Sequence, residues 1–423
     1  MTTPRIHTLP NGVRVICDPM PGLETLALSV VAGRGAASED LHRSGWSHLL
    51  EHMVFKGAGA RTAREIVEVV EGAGGQVNAA TGYERTSFQI RALKGSLPLG
   101  MDILADLVLR PTLDPRDLIK EKSVVAQEIA EAGDTPDDLV FELAQAAAYP
   151  DQPHGRPILG TPKSLKPADV AAIDAWRAAL YAPDRLVVSA AGAVDEDELL
   201  RLAEAAFGSQ PAGQGAPTPA APQFTAGHAA KLRRLEQAHL VLLLPAFGAR
   251  DDDYFPLRLF VEMLGGGMSS RLFQEARENR GLAYAIDAWS DTYADGGMLG
   301  VYAGCAAKDA GPLAALTAQQ IIALTDGCTD AELARAKAQL KAHLFMAREQ
   351  PLSRTETSAG QALLLGRLFP AREISEAIDA VTAADIARVG ARMLKPGLVA
   401  GSVLGSKASL GAVDVFAEAL KAG

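Results

Sequence analysis

Cysteine is scarce in this chain: Cys17, Cys305 and Cys328 stand far apart and odd in number. They offer no zinc-ribbon spacing, and a reducing compartment is the simpler inference. Long apolar runs are missing as well, and no stretch approaches the roughly 18 residues of a membrane span. Pro4, Pro10, Asn11-Gly12 and Asp18 interrupt the beginning of the chain, which therefore lacks the apolar stretch of a secretory signal. No cluster of Lys and Arg interleaved with aromatics occurs, and the formal charge is −10. That balance argues against nucleic acid as a partner. The expectation is a cytoplasmic protein with no membrane span.

What is present is ample apolar material, 48% of 423 residues, enough for two domains of about 200 residues each. Asn11-Gly12 is a turn signal before Val13–Cys17, a short β-branched strand, and Thr25–Ala32 reads as a second strand. Thr62-Ala63-Arg64-Glu65 has capping-box spacing and opens a helix that Gly74-Gly75 ends. Gln76–Thr81 and Thr86–Ile90 read as paired strands, with helices over Leu97–Leu109 and Asp117–Glu131. A Gly-, Pro- and Ala-rich segment without periodicity, residues 211–226, reads as a linker between domains 1–210 and 227–423. Beyond it the pattern recurs. His239–Leu244 matches Leu26–Val31, Arg258–Leu264 matches His48–Val54, and Ala384-Asp385-Ile386 matches Ala168-Asp169-Val170. Matches in the same order across so long a span indicate duplication. The fold class expected is α+β, two duplicated domains, each a mostly antiparallel sheet packed with helices.

The densest chemistry lies in His48-Leu49-Leu50-Glu51-His52. Helix positions three and four apart share a face, so His48, Glu51 and His52 point one way. Leu49, Leu50, Met53 and Val54 are left for a core. This is the His-x-x-Glu-His pattern, in which two imidazoles suit zinc and the carboxylate is placed to act as base for a water. A catalytic zinc normally has three protein ligands. Downstream, Glu121, Glu128 and Glu131 share one helix, and Glu121 and Glu128 lie about 20° apart on one face. Periodicity does not choose among them. In the second copy the corresponding residues are Arg258, Val261 and Glu262, which cannot build the same site, so one metal per chain is expected.

These residues resemble the pitrilysin/insulinase family of zinc peptidases, especially its branch of short, two-domain processing-peptidase-like chains. The resemblance runs from Leu9-Pro10-Asn11-Gly12-Val13 through His48–Gly57, Val124–Ile129, His154–Gly160 and Tyr181–Gly192 to Ser270–Phe273 and Arg277–Tyr284. It implies that His48, His52 and Glu128 are the zinc ligands and Glu51 the general base. Glu121 would be a nearby carboxylate that orients a histidine. It implies that Arg277 and Tyr284 hold the substrate backbone and complete the site, although spacing alone would read them as a surface residue and a core aromatic. Asn78 and Ala79 would lie on an edge strand that pairs with an extended substrate, and Phe55 would flank the scissile bond.

The resemblance further implies a zinc-dependent endopeptidase acting on peptides or unfolded segments inside a closed chamber. Chains this short close such a chamber from two subunits, so a homodimer is expected, with zinc from one chain and Arg277/Tyr284 from the other. The glycine-rich stretch Gly265–Ser270 is much shorter than the loop of the non-catalytic mitochondrial subunit, which argues against presequence specificity. Two other functions share the fold: a non-catalytic core subunit, and a maturation protease dedicated to one peptide. The intact His48, Glu51, His52, Glu128, Arg277 and Tyr284 weigh against the first.

Overall fold

The computed structural model describes residues 4–213 and 215–422. The chain forms two compact units: Met1–Ala130, Pro157–Ala220 and Phe345–Pro370 make the first, and Glu131–Arg156, Ala221–Leu344 and Ala371–Gly423 the second. Neither is a continuous stretch. The segment 211–226 holds no helix or strand among its described residues and contains one of five points where the chain changes unit.

The first unit is built on a six-stranded sheet of β1 (Ile6–Thr8), β2 (Arg14–Pro19), β3 (Thr25–Ala32), β6 (Gln76–Thr81), β7 (Thr86–Leu93) and β8 (Leu186–Gly192). Its order is β1-β2-β8-β3-β7-β6, with β2 and β8 parallel and the other pairs antiparallel. A small hairpin joins β4 (Gly57–Ala58) to β5 (Arg61–Thr62). Alternation along β3 sends Leu26, Leu28, Val30 and Ala32 into the main core. Helices α1 (Trp46–Val54), α2 (Ala63–Gly72), α3 (Leu97–Leu109), α4 (Pro115–Asp134), α6 (Pro162–Leu165), α7 (Val170–Leu180) and α8 (Glu196–Phe207) contribute to that core. Thr62 and Glu65 form the expected capping box at the start of α2.

The opposite face of this sheet is covered from far along the chain. Helix α12 (Pro351–Leu365) sets Ala359 and Ala362 against Ile16, Val31 and Val187. Ser29 and Thr355 share a hydroxyl hydrogen bond of 2.7 Å. Arg354 donates to both carboxylate oxygens of Asp18, at 2.9 and 3.1 Å, and the two side chains are 8% and 6% exposed.

The second unit repeats the plan. Its strands are β9 (Gly227–Leu232), β10 (Ala238–Ala246), β11 (Ala285–Thr292), β12 (Gly297–Cys305) and β13 (Ala400–Gly405), in the order β11-β12-β10-β13-β9. Read from the far edge, β9-β13-β10-β12-β11 reproduces β2-β8-β3-β7-β6, down to the one parallel pair. Helices α9 (Tyr254–Gly265), α10 (Ala310–Asp326), α11 (Asp330–Ala347), α13 (Ala371–Ala380), α14 (Ala383–Leu394) and α15 (Ala412–Ala422) contribute to its core. Here α5 (Pro136–Ala148), from the first half of the sequence, takes the place that α12 has in the first unit. Phe141 lies 5.0 Å from the Trp289 ring and stacks on Tyr302 at 5.5 Å. Trp289 lies so flat on Gly300 that a Cβ there would meet the indole at 2.3 Å. The fold is thus the expected pair of duplicated α+β bodies, with one helix exchanged in each direction.

Among the described residues no helix is long and apolar enough to cross a membrane. All three cysteines are free, Cys17 and Cys305 being buried. Because Asp18 is the carboxylate partner of a buried guanidinium, Asp18→Ala is expected to destabilise the first unit by about 3–5 kcal/mol. Urea unfolding followed by circular dichroism checks this; a loss below 1 kcal/mol (about the ceiling for an exposed pair) would show that the pair does not secure α12.

Candidate active site

Helix α1 buries one mostly apolar side, where Leu49, Leu50, Met53 and Val54 are 0% exposed. Fixing that side turns His48, Glu51 and His52 the other way. The two imidazoles meet edge to face with centroids 4.7 Å apart. On α4, Leu118, Glu121 and Val125 are buried, and Glu128, two turns beyond Glu121, reaches the same imidazoles. Glu128 Oε2 lies 3.5 Å from His52 Nε2 and 3.9 Å from His48 Nε2. Glu131 is exposed.

His48, His52 and Glu128 each offer one ligand atom, all within 4.8 Å of one another, the only such group among the described residues. Two nitrogens and one carboxylate oxygen are a suitable donor set for zinc. Ligand bonds of 2.0–2.1 Å in a tetrahedron put neighbouring donors about 3.3 Å apart; Glu128 stands 3.5 and 3.9 Å from the two imidazole nitrogens, and the whole set lies within 4.8 Å. The protonation states agree. Burial, with the neighbouring His52 second, pushes His48 down to about 4, so its ring is neutral and its lone pair free near neutral pH. His52 Nδ1 lies 3.1 Å from Glu121 Oε2, which leaves Nε2 facing Glu128 and His48. Lys56 Nζ is 2.9 Å from the other Glu121 oxygen, so this buried carboxylate is paired on both sides. The donors therefore fit a metal ion.

Glu51 is held from a different element. The Thr81 hydroxyl, at the end of β6, donates to Glu51 Oε2 at 2.5 Å. Burial raises the Glu51 carboxyl above its ordinary range, and the Thr81 hydrogen bond opposes that rise. A more basic carboxylate is a better proton acceptor. β6 is an edge strand with β7 as its sole neighbour, so one side of its backbone is unpaired within the sheet. Asn78 on it is exposed, while Ala79 is buried against the core. Phe55 is half-buried and packs on that same core.

Arg277 and Tyr284 belong to the second unit. Arg277 stands on a wide-wound helical turn, Phe273–Asn279, with its guanidinium over the Phe273 ring at 4.8 Å. Tyr284 precedes β11 and is 62% exposed, its backbone N–H bonded to the Gly304 carbonyl at 2.8 Å. Tyr284 is thus not the core aromatic that spacing alone suggested, while Arg277 is at the surface as spacing alone reads it. The second copy holds Arg258, Val261 and Glu262 on α9, with no metal-holding group among the described residues. Sequence reasoning passed over Lys56 and Thr81. Thr81 stands three residues after Asn78 on the same strand, a weak signal that only the folded contact makes specific.

The linkage from Lys56 through Glu121 to His52 predicts that Glu121→Ala weakens metal affinity about 10- to 100-fold without removing a ligand. Competition with a chelating dye measures it, and an unchanged affinity would exclude an orienting role.

Two family profiles match the chain, Insulinase (Peptidase family M16) over residues 14–162 and Peptidase M16 inactive domain over residues 168–340. A protein described as uncharacterized zinc protease YmxG of Bacillus subtilis is 36% identical over 376 residues, 89% of this chain and 92% of its own. An uncharacterized zinc protease of Mycobacterium tuberculosis is 34% identical over 399 residues, covering 92% and 91%. Among solved structures, a protease from Helicobacter pylori superposes with a TM-score of 0.88 at 21% identity, covering 95% of this chain and 99% of that one. With the profiles spanning both halves and the zinc-protease relatives covering nearly the whole length, the chain belongs to the pitrilysin/insulinase family, peptidase family M16.

Proposed function

We propose that this protein is a zinc-dependent endopeptidase that hydrolyses peptides or unfolded segments. The observation that carries the reading is the convergence of His48, His52 and Glu128 within 4.8 Å beside Glu51, a half-buried carboxylate whose proton affinity is raised by burial. Zinc held there supplies Lewis acidity to a peptide carbonyl and to water. Glu51 takes the proton from the attacking water and returns it to the leaving amine. The unpaired backbone of β6, with Asn78 and Ala79, aligns an extended peptide by main-chain hydrogen bonds, which tolerates varied sequences. Phe55 flanks the scissile bond. Tyr284 donates to the developing oxyanion, a contact of roughly 3–4 kcal/mol in comparable sites. Arg277 holds the substrate backbone.

The zinc-ligand half and the Arg277/Tyr284 half belong to separate units, and we assign the working site to a homodimer in which they come from different chains. The free, mostly buried cysteines support a cytoplasmic setting. A non-catalytic core role would leave the metal-ligand set and its base without purpose.

Glu51→Gln is expected to keep stoichiometric zinc while turnover of an unstructured peptide pool falls about 100- to 10,000-fold. Metal analysis beside a peptide-cleavage assay tests both halves of that statement. Equal activity of the two proteins removes Glu51 from the mechanism. The homodimer has its own test. Mixing inactive Glu51→Gln with inactive Arg277→Ala should restore about one quarter of wild-type activity, since random exchange gives half heterodimers with one intact site of two. Failure to regain activity although subunits exchange would rule out sites shared between chains.

A further inference from the structure

The N-terminus of α1 is satisfied in an unusual way. Its N-cap is Gly45, in the left-handed region at φ 88°, with no side chain to offer and no acidic residue in the first turn. The carboxylate comes instead from upstream. Glu39 accepts the Gly45 N–H at 2.8 Å and the Ser47 N–H at 2.7 Å, using one oxygen for each. Glu39 is 4% exposed. Its charge is therefore fixed in a poorly solvated position against the first turn of the helix, and the next residue after Ser47 is His48.

A cation site in that position meets an electrostatic difficulty. The first turn of a helix carries unsatisfied N–H groups and the positive end of the helix dipole, equivalent to roughly half an elementary charge. His48 sits in this turn, so a divalent ion on His48 is placed near like charge. Burial sharpens the effect, because charges in a poorly solvated setting are weakly screened. A carboxylate bonded to those same N–H groups neutralises the helix end.

The duplicated half supplies an internal comparison. Its equivalent helix, α9, also buries an apolar side, and Asp253 stands at its N-cap. Asp253 caps no N–H there; Arg388 and Arg392 hold both of its oxygens. The copy without the metal residues thus has its helix-end carboxylate already paired with two cations. In the copy with them a carboxylate bonds the helix-end N–H groups directly. A helix in this place of the fold does not require the Glu39 arrangement in order to pack.

We propose that Glu39 is a positioning residue for the metal centre: it fixes the first turn of α1 and offsets that turn's positive end, raising the affinity of the His48 side of the site for a divalent cation. The inference rests on the zinc reading above. Glu39 acts through α1 and touches neither metal nor substrate.

The test separates charge from shape, using full-length Glu39→Gln and Glu39→Asp and zinc alone as probe. Gln keeps the size and loses the charge; Asp keeps the charge on a shorter stem. Zinc affinity is measured by chelator competition, and melting of the metal-free proteins by circular dichroism. The expected result is a zinc Kd about ten-fold weaker in Glu39→Gln, with Glu39→Asp nearer to wild type than Glu39→Gln even where it melts lower. Wild-type affinity in Glu39→Gln overturns the proposal, as does an affinity order that simply follows the metal-free melting temperatures. Should Glu39→Asp not fold, the Glu39→Gln affinity at a near-native melting temperature decides. A wild type that binds no zinc defeats the zinc reading itself, an outcome distinct from a zinc-binding wild type matched by Glu39→Gln.

Discussion

Four side chains on α1, Leu49, Leu50, Met53 and Val54, have no exposed surface, and their burial is the constraint from which the candidate site follows. Each fully buried side chain of this kind is worth about 1.5–3 kcal/mol, so rotating the helix about its axis would forfeit several kilocalories per mole. With rotation forbidden, His48, Glu51 and His52 have one direction to face, and α4 crosses it with Glu121 and Glu128. The geometry of the candidate ligand set is thus a consequence of core packing.

Around that core, polar contacts tune rather than build. Glu121, paired with Lys56, fixes the orientation of His52 through Nδ1. Thr81 holds Glu51, whose burial makes it a stronger base than a solvated glutamate. The elements that carry these groups, α1, α4 and β6, are regular helices and an edge strand in one compact unit. Sites on such rigid supports hold their geometry better than sites on loops.

Duplication explains why the rest of the chain looks as it does. Five strands of the first sheet share their order with the five of the second, and each sheet is closed on its second face by a helix from the other half of the sequence. The buried Asp18–Arg354 pair secures one exchanged helix, and the Phe141 contacts with Trp289 and Tyr302 accompany the other. The second copy keeps the architecture and has Arg258, Val261 and Glu262 where the first has His48, Glu51 and His52, which agrees with its match to an inactive-domain profile.

The sequence by itself determined the local features. Helical periodicity put His48, Glu51 and His52 on one face, alternation marked β3 and the β6–β7 pair, and Thr62 with Glu65 announced the cap of α2. Each depends on residues a few positions apart, so the spacing carries the information. The family resemblance named Glu128, which periodicity alone left beside Glu121 and Glu131. Only the tertiary structure set Glu121 on the outer nitrogen of His52, carried Thr81 to Glu51 and Glu39 to the end of α1, and sent α5 and α12 to exchanged sheets. Those outcomes join residues brought together by folding, and the shifts on His48 and Glu51 arise from water excluded by the whole core. Desolvation and long-range pairing are properties of the packed chain, and no window of sequence contains them.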